Sequence, residues 1–479
     1  MGFGILEPNQ AVVPATIQLF DSVTNAESTA HLKHAADGKT ILAPQPTNSP
    51  NDPLNWSTLR KDGVFAMLLL GAILAGVHGP VIAPVTLELA TEFNKDLTAI
   101  SQLSSYMLLV LAGVAYIDSA LAHIYGKRAI FIFSMAILVA ADAWASKANS
   151  YGSLLGARIL SGAGQAAYEC LSSSVIADLY FVHQRSKRVG IFVLLFGTGV
   201  YLGVPIGTQI IAASSWRWAF AGLAISEGII LFFLILFFHE PVYRREHVDP
   251  LANMTEEAVF EKMQETLTET ETEHNAAPAE ETVERPKSFI RLLSLYNGRM
   301  SQNNFFVLLY RCIILTFHPA VLWVSTSGLI LSWPVGISYT AAAFLSLPPY
   351  NFTPVDVSYM YFAGWIGMLL ALFIGTPLFG WVVRRTAHAN RNVYEPEFLL
   401  YQVVPGIFIC LIGMVGWGWG EQDLIPWGGL AVFFAMFNGG AVMYNNSAIA
   451  YVLDAHREYA NESQVAIFAI KVTYLFESC

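Results

Sequence analysis

The sequence has little charge. Asp, Glu, Lys and Arg together make up 13% of its 479 residues, whereas 54% are hydrophobic. Soluble domains carry roughly 25% charged residues, because a water-soluble fold needs polar side chains to cover its surface. The composition therefore excludes a water-soluble protein and predicts an integral membrane protein.

The sequence also lacks the motifs of enzymes, metal sites and nucleic-acid binders. Its four cysteines show no CxxC spacing, and neither HExxH nor GxSxG occurs. Gly38, Lys39 and Thr40 match the end of a P-loop, but Lys33 stands where its first Gly must be. A net charge of −10 offers no basic face for nucleic acid. We therefore expect no enzyme activity, no metal, no cofactor, no ATP-driven process and no nucleic-acid partner.

What the sequence does have is long apolar runs. A bilayer core of about 30 Å takes about 20 apolar residues per helix, and ten runs of this kind occur. They cover residues 63–85, 101–122, 129–146, 152–179, 189–213, 218–238, 305–333, 355–383, 399–419 and 426–452. The runs predict a polytopic membrane protein of the all-α class with ten complete transmembrane helices.

Two polar segments divide these runs. Residues 1–60 are rich in Pro, Asn and Ser and predict a disordered tail. Residues 240–302 hold thirteen acids and seven bases, a composition typical of a solvated linker, with one surface helix expected near residues 254–266. We therefore expect a six-helix bundle at 61–239 and a second, incomplete bundle at 303–479.

The orientation follows from Lys and Arg alone, because cytoplasmic loops carry the excess of these residues. With the N-terminus inside, the cytoplasmic segments hold 20 of the 26 bases. The outside segments hold only Lys95, Lys147 and Arg217. The sequence therefore predicts a cytoplasmic N-terminus and a cytoplasmic acidic linker.

Several short sequence blocks occur in a fixed order along the chain. They are DPLNWS at 52–57, YGKR at 125–128, RILSGAGQAAYE at 158–169, DLYFVH at 178–183, WRW at 216–218, PPYNF at 348–352, NVYEPEF at 392–398 and YVLDAHR at 451–457. Together they resemble the major facilitator superfamily, and more closely its fungal drug:proton antiporter branch, over roughly residues 51–471. The resemblance implies two helical halves, alternating access, and a monomer in the lipid bilayer that moves a small organic substrate against protons.

The loop between the second and third spans departs from the family pattern G-x-x-x-D-R-x-G-R-R. Gly126, Lys127 and Arg128 match it, whereas Ser119 replaces the first Gly and His123 replaces the Asp. The resemblance implies that this segment forms a cytoplasmic gate. If the Asp acts as a latch, His123 makes that latch sensitive to pH or weaker.

Two further departures concern the fifth span and the end of the chain. The antiporter motif is degenerate at residues 199–207, which read GVYLGVPIG, and this leaves the direction of transport open. The match to the family fades after Lys471, and residues 465–476 are too short to span a membrane. The resemblance therefore predicts a truncated product with a partial eleventh helix and no twelfth.

Charged side chains inside apolar runs are candidate functional groups, because each costs at least about 2.5–3.5 kcal/mol on insertion scales. Arg158 and Glu169 lie eleven residues apart, which places them on one helix face about 16 Å apart. Gln165 lies on that face, one turn before Glu169. Glu169 would bind a cationic substrate or a proton, and the resemblance implies that Arg158 modulates proton release. Glu227 in the sixth span is a second candidate proton carrier. The alternatives are a structural ion pair for Arg158 and a packing hydrogen bond for Glu227.

The second half supplies four further candidates. Arg311 and His318 are seven residues apart, which predicts one helix face lining a cavity, with a kink at Pro319. Asn438 and Asn445 share a face by the same spacing and are candidates for substrate contact. Structural packing of His318 and interhelical amide bonds from the asparagines are the alternatives.

These residues favour a proton-coupled transporter that exports an amphipathic or cationic compound such as a drug, toxin, polyamine or secondary metabolite. Uptake of a polyamine or another small nutrient is the alternative among transporters. An inactive truncated remnant or a non-transporting receptor is the alternative from another class. We expect the protein in the plasma membrane, with the vacuolar membrane as the alternative.

Overall fold

A computed structural model describes residues 17–18, 46–243, 288–295, 298–330, 341, 344–390, 393–455 and 462–470. Most of the expected N-terminal tail lies outside these residues. The same holds for most of the acidic linker, including its expected surface helix, and for the chain after residue 470.

Helices make up almost all of the described structure, so the expected all-α class is confirmed. The first eight are α1 (Thr58–Val77), α2 (Thr86–Phe93), α3 (Leu97–Tyr125), α4 (Lys127–Ala145), α5 (Tyr151–Cys170), α6 (Ser172–Leu179), α7 (Val182–Ala213) and α8 (Trp216–Phe237). After the linker come α9 (Phe289–Leu292), α10 (Phe305–Thr316), α11 (Pro319–Ile330), α12 (Pro354–Leu370), α13 (Thr376–Ala389), α14 (Leu400–Gln422) and α15 (Trp427–Ala455). Residues 462–470 are also helical. A two-residue strand β1 (Ile17–Gln18) pairs antiparallel with β2 (Val393–Tyr394).

Seven helical segments in the described part of the chain are long and apolar enough to cross a membrane, and the bent pair α10–α11 makes an eighth. Helices α1 and α5 coincide with the first and fourth predicted spans but are not among these segments; Arg60, Lys61 and Asp62 lie at the start of α1, and Arg158 and Glu169 lie within α5. A multi-pass membrane protein is thus confirmed, whereas the count of ten complete spans stays a prediction.

The bend in the pair α10–α11 measures 66° and lies at the predicted kink before Pro319. The ring of Pro319 removes a backbone donor and blocks the preceding turn, so the helix breaks there. The expectation that Arg311 and His318 share one helix face and line a cavity stays a prediction. His318 stands in the break between the two helices, and both side chains are exposed.

Local chemistry sets other helix boundaries. Helix α12 begins at a capping box in which the Thr353 hydroxyl accepts from the Asp356 N–H and the Asp356 carboxylate accepts from the Thr353 N–H. A π-helical turn at Ala371–Gly375 joins α12 to α13 just before Pro377. A π-turn is a known response to a proline in a helix, because it relieves the missing hydrogen bond. The long segment therefore continues across Pro377.

The helices cross closely where small residues meet. A Cβ added to Gly199 of α7 would lie 2.0 Å from the carbonyl oxygen of Ile73 on α1. A Cβ on Gly162 of α5 would lie 2.1 Å from that of Met107 on α3. Membrane helices use small residues in this way to bring their backbones into contact. These crossings pack α1, α3, α5 and α7 tightly and position the polar side chains between them.

Candidate functional site

Three ionisable side chains from three helices meet in the interior of the first eight helices. His78 follows the last residue of α1, Asp142 lies near the end of α4, and Glu227 lies in the middle of α8. His78 Nε2 is hydrogen-bonded to Asp142 Oδ2 at 3.1 Å and makes an ion-pair contact of 3.1 Å with Glu227 Oε1. All three side chains are 0% exposed. We call these three residues the buried triad.

The buried triad is fixed by further polar contacts. His78 Nδ1 lies 3.0 Å from the carbonyl oxygen of Leu74, one turn earlier on α1. The Ser161 hydroxyl on α5 lies 3.5 Å from Asp142 Oδ1 and 3.1 Å from the Ala157 carbonyl. Because a hydroxyl has one proton, it can donate to only one of these two acceptors at a time. Within the described residues, no other group of three His, Cys, Asp or Glu side chains comes this close together.

Arg158 lies next to the buried triad. It is 0% exposed, and its Nη2 lies 3.4 Å from the carbonyl oxygen of Gly79, the residue after His78. The same nitrogen lies 3.3 Å from the hydroxyl of Ser104 on α3. The guanidinium therefore connects α5 with the residue that follows His78 and with α3.

Glu169 lies on α5 together with Arg158 and Gln165, as the spacing predicts, but it is not part of the buried triad. Its carboxylate accepts a hydrogen bond from the side-chain amide of Gln165. Gln165 is buried, whereas Glu169 is only half-buried. Of the two predicted carboxylates, Glu227 is therefore fully enclosed, whereas the side chain of Glu169 is partly exposed.

Hydrogen bonds also join the helices before the linker to those after it. The Tyr201 hydroxyl on α7 donates to Asn438 Oδ1 on α15 at 2.7 Å. Trp365 Nε1 on α12 donates to the Thr198 hydroxyl on α7 at 3.1 Å. Asn438 is buried, whereas Asn445, two turns further along α15, is half-buried. Asn438 therefore makes a contact between the two halves of the chain.

The predicted gate segment lies at the junction of α3 and α4. Gly126 adopts φ = 92°, a left-handed conformation that favours glycine. An added Cβ there would lie 2.4 Å from the Glu240 carboxylate. The Lys127 ammonium contacts the Asp178 carboxylate at 2.5 Å. His123 is exposed, and its ring lies 3.5 Å from the Asn303 amide.

Arg128, the last residue of the gate segment, is fully buried. Its guanidinium donates to the carbonyl oxygens of Ile235 at the end of α8 and of Leu292 on α9. Burial raises the pKa of Glu240, although hydrogen bonds from the N–H groups of Lys127, Arg128 and Val242 oppose this shift. The gate segment therefore holds the start of α4 against the residues that follow α8.

Comparison with known proteins identifies the fold and its family. The family model described as Major Facilitator Superfamily matches residues 64–471, most of the chain. The chain belongs to this superfamily. It is 22% identical to an uncharacterised MFS-type transporter of Schizosaccharomyces pombe, over 98% of this chain and 86% of that protein. It is 24% identical to a probable efflux pump of Aspergillus flavus, over 83% of this chain and 88% of that protein.

A solved structure supports the same fold. The Escherichia coli xylose transporter XylE, in a partially occluded inward-open conformation, aligns with a TM-score of 0.55 at 14% identity. The alignment covers 87% of this chain and 92% of XylE. At this identity the likeness shows the major facilitator fold alone.

Sequence reasoning missed three residues that the structure places at these sites: His78, Asp142 and Glu240. Asp142 lies inside the apolar run 129–146. His78 was not selected, although it is an ionisable residue inside the run 63–85, and such residues are functional candidates by default. Glu240 was counted only among the acids of the linker. The signal for Glu240 was its position directly after an apolar run, where it can reach neighbouring helix ends.

Proposed function

We propose that this chain is a proton-coupled secondary transporter that exports small organic molecules by alternating access. The observation that carries the proposal is Glu169, a half-buried carboxylate in a helix of a transporter fold, hydrogen-bonded by the buried Gln165. A carboxylate that keeps an open side in such a helix suits a cationic substrate or a proton. The A. flavus relative described as a probable efflux pump supports export.

The contacts between the two halves of the chain support alternating access. Tyr201 with Asn438 and Trp365 with Thr198 are hydrogen bonds between α7 and the helices after the linker. A few hydrogen bonds of this kind, each worth about 1 kcal/mol net, can break and re-form as one half rocks against the other. The proposal assigns the helices before the linker to one rocking bundle and those after it to the other.

The segregation of Lys and Arg supports a cytoplasmic N-terminus, with the gate segment at the cytoplasmic end. The proposal places the protein in the plasma membrane, where export removes an organic compound from the cell. Fluorescence microscopy of the full chain with a C-terminal fluorescent protein tests this location. Labelling of the vacuolar membrane alone would contradict it.

Flux measurements test the proposed transport. The purified chain is reconstituted into vesicles, and a pH gradient is imposed across the vesicle membrane. The flux of rhodamine 6G, tetraphenylphosphonium and spermidine is then measured. We expect at least one cation to accumulate on the acidic side, since an exchanger uses protons moving the other way. Accumulation on the alkaline side would indicate symport and uptake. Flux of all three that is indifferent to the gradient would reject proton coupling.

Two variants sharpen this test. Glu169→Gln keeps the size of the side chain and removes its charge, so we expect gradient-driven flux to fall to the level of empty vesicles. Glu88→Gln is the matched control, because Glu88 is an exposed acid on α2. Full activity of Glu169→Gln would remove the observation on which the proposal rests.

A further inference from the structure

We propose that the buried triad of His78, Asp142 and Glu227 is the site that binds the coupled proton. This inference rests on the proposed function, because it names the residues that would couple transport to protons. It assigns the proton to a site apart from Glu169, which is left to contact the substrate.

The hydrogen bonds of His78 define where protons must lie. The Leu74 carbonyl can only accept, so the contact of 3.0 Å places a proton on His78 Nδ1. His78 Nε2 then faces two carboxyl oxygens, each at 3.1 Å. A bare nitrogen lone pair would repel both oxygens. The space between the three groups therefore holds at least one proton, either on Nε2 or on one of the two acids.

A second proton can be added to the same space. With a proton on Nε2 and both acids ionised, the buried triad has a net charge of −1. One more proton on Asp142 or Glu227 makes it neutral. A single ring N–H can align with only one of the two oxygens, and the hydrogen bond goes to Asp142. Glu227 is thus the acid whose ionised oxygen is less well satisfied and which gains more from a proton.

The charge of the buried triad and of the groups near it keeps both protonation states of the triad energetically accessible. The charged and titratable groups that face the buried triad come from α5: the Arg158 guanidinium at the Gly79 carbonyl, and the Tyr168 phenol, which lies in electrostatic range of Glu227. The buried triad itself has a net charge of −1 without the second proton and 0 with it, so it stays within one charge of neutral in either state. This matters because an uncompensated charge is costly at a fully buried position.

The buried triad is also connected with the contacts between the two halves. His78 directly follows α1. Five residues before it, the backbone of α1 at Ile73 packs against Gly199 of α7. The neighbours of Gly199 on α7 are Thr198 and Tyr201, which bind Trp365 and Asn438. A shift of α1 on proton binding would therefore move α7, the helix whose side chains contact the second half of the chain.

Infrared difference spectroscopy of the full chain in lipid nanodiscs tests the proton site without a substrate. Acidification of the wild type is expected to produce a carboxylic C=O band from a buried acid. Glu227→Gln should abolish that band or shift it, and Asp142→Asn should shift it, because both acids share Nε2. Glu88→Gln should leave it unchanged. The Glu227 and Asp142 variants are near-isosteric, and either one that accumulates in membranes carries the test.

Two results would overturn the proton site. One is a set of spectra in which wild type, Glu227→Gln and Asp142→Asn respond identically to acid. The other is retention of one equivalent of Zn²⁺ by the wild type, lost in His78→Gln, because a nitrogen and two carboxylates also suit a divalent metal.

Flux of rhodamine 6G separates this inference from the proposed function. Loss of stimulation by the pH gradient in Glu227→Gln, with exchange at equal pH retained, supports the proton site. Stimulation that is equal in this variant and the wild type overturns the site but leaves proton-coupled transport standing. A triad band in the infrared spectra together with flux indifferent to pH would instead reject proton coupling and leave a buried site that binds a proton.

Discussion

Glu240 caps the helix that begins at Lys127. Its Oε1 accepts the Lys127 N–H at 2.9 Å, and its Oε2 accepts the Arg128 N–H at 3.1 Å. The first N–H groups of a helix have no partner within the helix, and their end of the macrodipole attracts negative charge. The Glu240 side chain, which follows α8, thus accepts hydrogen bonds from the first two N–H groups of α4. Its carboxylate fits there because Gly126 has no side chain.

Removal of this cap should destabilise the protein. Glu240→Ala leaves two buried N–H groups without their acceptor, and loss of an N-cap costs about 0.5–2 kcal/mol. We expect a lower melting temperature of the purified protein in nanodiscs. Glu240→Gln keeps one acceptor oxygen and should lose less. Equal melting temperatures for the wild type and Glu240→Ala would show that the cap contributes nothing to stability.

His239, next to Glu240, predicts a loss of stability in acid. Burial, together with the charges of Arg60 and Arg128, lowers the pKa of His239 from 6.5 to about 4. Between these two values the unfolded chain binds a proton at this position and the folded chain does not. The free energy of unfolding should therefore fall as the pH is lowered from 6.5 towards 4.

Thermal unfolding of the wild type and His239→Gln across this pH range checks the prediction. The variant has no imidazole, so its stability should depend less on pH; the difference between the two proteins should change between pH 6.5 and 4 and become constant below about pH 4. Parallel pH profiles would mean that His239 titrates alike in the folded and unfolded chains.

The crossing of α7 with α1 predicts that residue 199 must be glycine. Gly199→Val places a methyl-bearing carbon on the carbonyl oxygen of Ile73, and such overpacking costs about 1–3 kcal/mol, occasionally more. We expect poor accumulation in membranes and a lower melting temperature. Gly190→Val on the same helix is the matched control, because nothing lies within 4 Å of its added Cβ. Similar behaviour of the two variants would contradict the close crossing.

Much of the helical fold was predictable from the sequence because hydrophobic length is a local property. Each of the ten apolar runs coincides with a helix or a broken helix in the described residues. The kink before Pro319 was predictable for the same reason, since the ring acts within one turn. The position of His318 in the break between α10 and α11 was not, because spacing alone does not say at which residue a helix ends.

The buried triad could not be predicted from spacing. Periodicity relates residues on one helix, so it paired Arg158 with Glu169, which lie on α5. His78 and Asp142 are 64 residues apart and come together only when α1 packs against α4. Glu240 was missed for a related reason: the composition of the linker describes an average, and one acid at its edge belongs to the packed helices.

The last prediction concerns the hydrogen bond between Tyr201 and Asn438. It joins α7 to α15 at 2.7 Å, with Asn438 buried and Tyr201 half-buried, so water replaces only part of its loss. Tyr201→Phe removes the donor and keeps the ring, with an expected cost of about 0.5–1.5 kcal/mol. Asn438→Ala also leaves the hydroxyl without its acceptor and should cost more, about 1–3 kcal/mol.

A double-mutant cycle on thermal unfolding isolates the pair. If the hydrogen bond is direct, Asn438→Ala in the Tyr201→Phe background should cost less than in the wild type, with a coupling of about 1 kcal/mol. Thr198→Val, which removes a different contact of α7, serves as the control and should be additive with Asn438→Ala. Because the bond joins the two halves in this conformation, its loss should also shift the balance towards conformations in which the halves separate. Full additivity of Tyr201→Phe and Asn438→Ala would mean that the two side chains do not hold the halves together.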